Sequence, residues 1–252
     1  CQENKLKRTP KVYVFCGDGC LMEGISQEAI SLAGHLELDN LILVYDNNKI
    51  SIDGSTDLAF SDDTNLRFQS VNWNVLNGKG HDHKNINQLF KKAQNSKKPI
   101  LMNFKTIIGF GSPNKSAKAS SHGSPLGKDE ILLTKQKLKW NAKPFTIPSN
   151  LLSAWRKSAN RNQKIYTQSK KSLKIKNSIK KFENQMDKFF DIIASDFKSF
   201  DTPQATRKSS EGVLNYLHTS MPILGGSADL TGSNNTKGKC MDVLNQNNFQ
   251  GR

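Results

Sequence analysis

The sequence predicts an α/β fold in which a parallel sheet is flanked by helices and is followed by the start of a second α/β domain. Lys11–Cys16 is a short β-branched and aromatic run that ends at a glycine, as a buried strand does. Apolar residues within Glu23–His35 recur every three or four positions, which indicates a helix, and Leu41–Tyr45 is a second continuous apolar run. Strand, helix and strand in this order predict a right-handed parallel crossover.

The alternation continues along the chain. Val71–Leu76 is predicted as a strand, Ile86–Asn95 as a helix, and Ile100–Thr106 as a strand that runs into the glycine-rich turn Gly109–Ser112. Alternating strands and helices are typical of a doubly wound sheet.

The pattern is weaker after Gly127. A helix is predicted at Lys128–Trp140, and Pro144 and Pro148 interrupt the chain before a basic stretch. Three further elements are predicted, two helices and then a strand that turns at glycine: Phe182–Phe200, Thr206–Leu217 and Ile223–Ser227.

Basic residues are concentrated in that stretch. The net charge is +15, and no acidic residue lies between Leu151 and Phe182, where ten basic residues fall: Arg156, Lys157, Arg161, Lys164, Lys170, Lys171, Lys174, Lys176, Lys180 and Lys181. Such a run is more often a solvated linker or helix face than a binding surface, so no nucleic-acid partner is expected. A basic nucleic-acid binder stays an alternative, because Lys and Arg supply phosphate contacts.

The composition argues against several other classes of protein. No segment approaches the roughly 20 consecutive apolar residues of a membrane helix, and the opening CQENKLKRTP lacks the apolar region of a signal peptide. The four cysteines form no Cys-x-x-Cys pair and no zinc-like spacing with histidine, which favours free thiols in a reducing cytosol. Because the chain starts at Cys1 without Met, we expect its ends to be fragment boundaries.

The strongest chemical signal is a pair of short polar motifs. Gly17-Asp18-Gly19 is followed, after 27 residues, by Asn47-Asn48. Each motif comes just after a predicted parallel strand, where open α/β sheets place their ligands. Glycines let the backbone approach a diphosphate, and carboxylate and amide oxygens suit Mg²⁺. The two motifs therefore predict a site for a divalent ion and a diphosphate together.

This pair resembles the thiamine-diphosphate fingerprint, and the rest of the chain resembles transketolases. Five segments are similar to transketolase sequences and stand in the same order: GDGCLMEGISQEA, DNNKISIDG, TIIGFGSPN, HGSPLG and GGSADLTGSN. The resemblance implies a thiamine-diphosphate-binding fold. It also implies three parts of the chain: the C-terminal part of the diphosphate-binding domain, a basic linker with helices, and the beginning of the pyrimidine-binding domain, at residues 1–148, 149–200 and 201–252.

The resemblance assigns the cofactor site residue by residue. Asp18, Asn48 and the backbone carbonyl of Ile50 would hold Mg²⁺, or Ca²⁺ or Mn²⁺ in its place, and Gly19 and Asn48 would contact the diphosphate. Ile52 would press against the thiamine rings. Three further cofactor contacts are implied, at the glycine turn, in HGSPLG and in SADL: Gly17, His122 and Asp229.

Substrate and interface residues follow in the same way. His122, Arg207 and Ser233 resemble contacts to the sugar phosphate, although Gly232 stands where the family usually has proline. Glu23 and Glu28 resemble acidic residues that couple the two active sites of a homodimer, and they could equally be solvent-facing charges.

The implied activity is the reversible transfer of a two-carbon ketol unit from a ketose phosphate to an aldose phosphate, such as xylulose 5-phosphate and ribose 5-phosphate, in the cytoplasmic pentose phosphate pathway. The catalytic glutamate of the family would lie beyond the last motif, so no catalytic residue is assigned and the chain is expected to be inactive alone. A dihydroxyacetone synthase-like enzyme shares these motifs and is the nearest alternative. From another class, a non-catalytic relative that serves as a binding module is also considered.

Overall fold

The computed structural model describes residues 10–163, 166–167, 183–184, 186, 191, 202–220, 223–249 and 251. The chain forms two compact units. The first comprises Cys1–Asn141 with Asn245–Phe249, and the second comprises Ala142–Leu244 with Gln250–Arg252. The three-part division of the chain stays a prediction.

The described part of the first unit contains six strands: β1 (Val12–Gly17), β2 (Leu41–Asn47), β3 (Ile50–Ser51), β4 (Gly54–Ser55), β5 (Asn74–Lys79) and β6 (Ile100–Lys105). Four of them form a sheet in the order β1-β2-β6-β5, and each neighbouring pair is parallel. All four carboxyl ends therefore lie at one edge, as the sequence predicted. The strands β3 and β4 form a short antiparallel hairpin directly after β2.

Helices connect and flank these strands: α1 (Gly24–His35), α2 (Thr64–Ser70), α3 (His83–Ala93) and α4 (Lys128–Lys137). The predictions of α1, α3 and α4 are confirmed, with ends that differ by a few residues. The seven-residue helix α2 was not predicted, because it is too short to show a clear period. Its sequence signal is Asp63, whose carboxylate accepts a hydrogen bond from the backbone N–H of Leu66 at 3.0 Å.

The apolar core covers both faces of β2 and β6, because side chains alternate along each strand. The prediction that β1 is buried is wrong, since this edge strand is largely exposed and Phe15 is 73% exposed. On β2, Leu43 and Tyr45 face a cluster that includes Ile30 of α1 and Phe68 of α2. The alternate residues of β2 face a second cluster with Ala93 of α3. The predicted arrangement of a parallel sheet between helices is confirmed.

One predicted strand is displaced along the chain. The prediction began at Val71, whereas β5 begins at Asn74. Residues 71–73 instead pack under α1, where the Trp73 indole N–H donates to the carbonyl of Ile30 at 2.9 Å and the ring meets Phe68 edge to face. The apolar character of this segment therefore reflects contact with the helix and not strand pairing.

The segment between β6 and α4 is fixed by the buried Glu130. Its carboxylate accepts hydrogen bonds from the Ser112 hydroxyl, from the Asn114 backbone N–H at 2.8 Å and from the Asn114 side-chain amide at 2.9 Å. Hydrogen bonds from Ser112 and then from Asn114 lower the pKa of Glu130 to about 2.

The second unit contains the helices α5 (Ser149–Asn160), α6 (Thr206–Ser220) and the short α7 (Thr231–Asn234) among its described residues. The helix predicted from Thr206 is confirmed. The strand predicted at Ile223–Ser227 is wrong, since these residues are irregular and Leu224 is 71% exposed. A strand needs a hydrogen-bonding partner, and no strand is present among the described residues of this unit.

Two predicted segments cannot be compared with the structure. Most of the predicted helix Phe182–Phe200 and most of the basic stretch fall outside the described residues.

Across the described ranges, no helix has both the length and the apolar character needed to span a membrane.

Gly34 of α1 provides a test of the packing under the helix. A Cβ at Gly34 would stand 1.7 Å from the carbonyl oxygen of Val71. Because that atom belongs to the backbone and cannot rotate away, Gly34→Ala is expected to destabilise the protein by about 3 kcal/mol. Urea unfolding measures the difference.

Gly24→Ala is the matched control, since Gly24 begins the same helix and a Cβ there meets no atom within 4 Å. It is expected to be neutral or to stabilise by up to about 1 kcal/mol. Equal stabilities of the two variants would show that α1 does not press on residue 71 in solution.

Glu130 provides a test by pH. A carboxyl whose pKa is lowered in the folded state stabilises the fold above its unfolded pKa, and this contribution is lost as the pH falls through the folded pKa. For Glu130 that window runs from 4.5 down to about 2. The stability gap between the wild type and Glu130→Gln is therefore expected to narrow across this window. Thermal melts at several pH values measure it.

Asp129→Asn is the control for the change from acid to amide, because Asp129 is the exposed neighbour on α4. At neutral pH it is expected to change the stability by no more than about 0.5 kcal/mol. A constant gap between Glu130→Gln and the wild type at every pH contradicts the assignment.

Candidate functional site

The candidate site lies at the carboxyl edge of the sheet, where the loops after β1 and β2 meet. Gly17, the last residue of β1, is paired in register with Asp46 of β2. The chain continues from these strands into Asp18 on one side and into Asn48 on the other. The predicted motifs are thus adjacent because their strands are adjacent and parallel.

Asp18 is the centre of this site and is 6% exposed. One carboxylate oxygen accepts a hydrogen bond from the Tyr45 hydroxyl at 2.5 Å. The other accepts from the backbone N–H groups of Asn48 at 3.2 Å and of Lys49 at 3.1 Å. Lys49 has φ +62°, a left-handed conformation that is uncommon for a residue other than glycine.

The charge of Asp18 has no counter-charge among the described residues. Its three hydrogen-bond donors are neutral, and the ion pairs identified among the described residues lie elsewhere, between Arg67 and Asp62 and between Lys208 and Glu211. A buried carboxylate without a cation is costly. The site therefore favours a bound cation on electrostatic grounds.

The same burial affects two neighbouring groups. Burial, together with the hydrogen bond to Asp18, raises the pKa of Tyr45, so its hydroxyl stays a donor. Burial, followed by nearby Cys20, Asp18 and Asp46, raises the pKa of Cys16 to about 12. The Cys16 thiol is therefore protonated at neutral pH and is a poor nucleophile.

Asn48 and the hairpin after it form the other side of the site. The Asn48 side-chain oxygen accepts from the Ile50 N–H at 2.9 Å, which fixes the amide in a turn. Ile50 is half-buried in β3, whereas Ile52 lies exposed in the turn of the hairpin. An exposed isoleucine beside a polar site is available to an apolar ring.

The fit to a diphosphate and a divalent ion rests on the glycines and the oxygen donors. A Cβ at Gly17 or Gly19 would meet no atom within 4 Å, so both backbones face open space that a ligand can enter. Asp18 accepts a hydrogen bond from the backbone N–H of Asn48, so its carboxylate lies beside a residue whose side chain carries an amide oxygen, and such oxygen donors suit Mg²⁺. Within the described ranges, no three His, Cys, Asp or Glu residues gather as a metal cluster.

His122 lies in the same unit but is not joined to Asp18. It follows a short helical turn, Ala119–Ser121, is exposed, and its backbone N–H donates to Ala119 at 2.8 Å. No hydrogen bond links His122 to Asp18 or Asn48 in the part of the chain that the structure describes. Its role stays a prediction.

Another histidine, His81, contacts the start of the segment that runs from β6 to His122. His81 accepts from the Ile107 N–H at 2.9 Å, and its ring stacks on Phe110 with centroids 3.9 Å apart. This agrees with a structural role for His81.

The acidic pair predicted to couple two subunits follows the loop after β1 that carries Asp18. Glu23 directly precedes α1, Glu28 lies within it, and both are exposed. The remaining predicted residues belong to the second unit and are also exposed: Arg207 in the first turn of α6, Asp229 with φ +57°, and Ser233 in α7. These roles stay predictions.

Sequence reasoning missed several groups that build the site. Tyr45 was interpreted only as part of an apolar strand, and the Lys49 N–H carries no sequence signal. Asn47, 8% exposed, donates to Asn103 of β6 at 2.9 Å. A polar residue inside the apolar run of β6 was the available signal for this contact.

Comparisons with known proteins relate the chain to transketolases. Residues 2–197 match the family model described as transketolase, thiamine diphosphate binding domain. The transketolase of Rhodobacter capsulatus is 41% identical over an alignment of 253 positions, and the match covers 96% of this chain and 38% of that protein. That of Buchnera aphidicola subsp. Baizongia pistaciae is 44% identical, covering 89% and 36%.

Solved structures show the same relationship. A transketolase mutant from Pichia stipitis superposes with a TM-score of 0.83 at 36% identity, covering 96% of this chain and 38% of that one. The Campylobacter jejuni transketolase gives 0.77 at 33% identity, covering 97% and 38%. A Pichia stipitis transketolase with sedoheptulose 7-phosphate gives 0.79 at 38% identity, covering 92% and 36%.

The chain thus spans less than two-fifths of the length of the relatives that it matches. The matched region includes the whole parallel sheet and the loops that carry Asp18 and Asn48. On this evidence the chain belongs to the transketolase family of thiamine-diphosphate-binding domains.

Proposed function

We propose that the chain supplies the diphosphate-binding part of a transketolase, an enzyme that transfers a two-carbon ketol unit between sugar phosphates. The observation that carries this proposal is the contact of Asp18 with the backbone of Asn48 and Lys49, at 3.1–3.2 Å. It joins the two motifs of the thiamine-diphosphate fingerprint at one edge of a parallel sheet. Family membership supports the same function.

The residues at this edge have distinct proposed roles. Asp18, Asn48 and the carbonyl of Ile50 hold a divalent cation, with Mg²⁺ the best match to their oxygen atoms. Gly17 and Gly19 leave room for the diphosphate, and their neighbouring N–H groups face it. Ile52 lies against the thiamine rings. The cofactor supplies the reactive carbon, and the protein supplies its placement and its electrostatic environment.

The electrostatics of the site explain why metal and diphosphate bind together. Asp18 carries a buried negative charge, and a diphosphate adds further negative charge beside it. A divalent cation between them neutralises both, so each ligand is expected to raise the affinity for the other. Tyr45 donates to one oxygen of Asp18 and thereby orients the carboxylate.

The sugar phosphate is proposed to contact the residues that the resemblance to transketolases assigns to it. Arg207 offers a planar guanidinium, which suits phosphate, and Ser233 offers a hydroxyl. His122 is proposed to reach both the diphosphate and the substrate, and Asp229 is proposed at the thiazolium end of the cofactor. Solved transketolases carry sedoheptulose 7-phosphate or xylulose 5-phosphate, which supports sugar phosphates as the substrate class.

The resemblance to transketolases also supports assembly as a homodimer. Glu23 and Glu28 are exposed beside the site, where they can face a second subunit of a homodimer.

A binding module without turnover is the second candidate function, because the chain covers 36–38% of the length of its relatives. The experiments below separate the two.

Cofactor binding tests the site directly. Asp18→Asn removes the buried charge and keeps the side-chain size, so the affinity for thiamine diphosphate in the presence of Mg²⁺ is expected to fall by at least about tenfold. Isothermal titration calorimetry measures the affinity of wild type and variant.

Asp39→Asn is the matched control, because Asp39 precedes β2 and lies at the amino end of this strand, away from the site. It should bind like the wild type. Unchanged affinity in Asp18→Asn, or equal losses in both variants, would remove Asp18 from the cation site.

Ketol transfer is tested by a coupled assay with xylulose 5-phosphate and ribose 5-phosphate. Since the chain spans 36–38% of its relatives, we expect the 252-residue chain to bind the cofactor without measurable turnover. Turnover by the chain alone would refute this expectation. In that case, a preference for formaldehyde over ribose 5-phosphate as acceptor would indicate a dihydroxyacetone synthase-like activity.

A further inference from the structure

Three asparagine side chains form a hydrogen-bonded chain that ends at the candidate site. The Asn47 amide donates to the Asn103 side-chain oxygen at 2.9 Å, and the Asn103 amide donates to the Asn65 side-chain oxygen at 2.9 Å. Asn65 lies on α2, Asn103 on β6 and Asn47 at the end of β2. This asparagine chain therefore connects a helix to the last residue of the strand before Asn48.

Asn103 is an unusual residue for its position. It is 6% exposed and lies between Met102 and Phe104, which are both buried. A buried amide is costly unless its donor and its acceptor are paired. Asn103 uses its oxygen for Asn47 and its N–H₂ for Asn65, so its orientation is fixed from both sides.

The fixed orientation of Asn103 decides the orientation of Asn47. Because Asn103 presents an oxygen, Asn47 must present its N–H₂, and its own oxygen is directed elsewhere. That oxygen is buried and has no hydrogen-bond partner among the described residues. The asparagine chain thus holds Asn47 in an orientation that leaves an acceptor unpaired beside the site.

The peptide that joins Asn47 to Asn48 is part of the site itself. Its carbonyl accepts from the Thr106 N–H at 3.0 Å, and its N–H donates to Asp18 at 3.2 Å. A change in the backbone dihedral angles of Asn47 would tilt this peptide, lengthen the contact to Asp18 and turn the Asn48 side chain. The side-chain anchor on Asn103 opposes such a rotation.

We propose that Asn103 is a positioning residue for the diphosphate and cation site, and that it acts through Asn47 on the Asn47–Asn48 peptide, whose N–H donates to Asp18. The proposal rests on the proposed function, because it concerns the same site. Asn103 has no hydrogen bond to Asp18 or Asn48 in the described ranges, so its effect on ligand binding is indirect.

Asn103→Leu tests the proposal, since leucine has a similar size and no hydrogen-bonding group. Its affinity for thiamine diphosphate with Mg²⁺, measured by calorimetry, is expected to fall about tenfold. Asn77→Leu is the matched control: Asn77 is exposed and paired in register with Asn103 on the neighbouring strand. It should bind as the wild type does.

A double-mutant cycle with Asn47→Leu separates positioning from a general loss of structure. If Asn103 acts through Asn47, adding Asn103→Leu to Asn47→Leu changes the affinity no further. Equal losses in both backgrounds overturn the proposal, as does unchanged affinity in Asn103→Leu when the wild type binds. Failure of the wild type to bind refutes the proposed function and, with it, this role.

Asn65→Leu covers the case in which Asn103→Leu does not fold. It cuts only the outer link of the asparagine chain, at a half-buried residue of α2. A smaller loss of affinity in the same direction is expected. Wild-type affinity in folded Asn65→Leu overturns the proposal.

Discussion

The contact between the Asp18 carboxylate and the backbone N–H groups of Asn48 and Lys49 is the constraint on which the site depends. It can form only because β1 and β2 are neighbours and run in the same direction, so that both loops leave the sheet at one edge. The two strands are brought together by α1, whose apolar side packs on the sheet. The helix between the motifs is therefore as necessary to the site as the motifs themselves.

Several buried polar residues lie close to this contact. Asp18, Asn47 and Asn103 are buried near the carboxyl ends of their strands, whereas the strand centres are filled by apolar residues such as Leu43 and Leu101. Each buried polar group costs stability unless it is paired. Tyr45 and the neighbouring amides offset this cost for Asp18 by hydrogen bonding, but they add no positive charge.

The sequence predicted the main elements because their signals are local. Apolar runs and a helical period identify β1, α1 and β2, and parallel strands then require Asp18 and Asn48 to be close. Contacts between distant segments could not be predicted in this way. Val71 looked like the start of a strand because its contact with Gly34 depends on the packed helix.

The same limit applies to the supporting groups of the site. The partners of Tyr45 and Asn103 follow from strand order and register, which were not known in advance. The strand expected at Ile223–Ser227 had an apolar sequence but has no partner among the described residues of its unit. Local pattern therefore predicts which segments are apolar, and pairing decides which of them become strands.

The buried charge of Asp18 also links ligand binding to stability. A ligand that binds only the folded state, at a hundred times its Kd, stabilises it by about 2.7 kcal/mol. Leaving one buried polar group unpaired costs a similar amount, about 1–3 kcal/mol. The proposed cation at Asp18 would therefore offset a cost of this size. On this reasoning, ligand binding at Asp18 is expected to raise the free energy of unfolding of the protein.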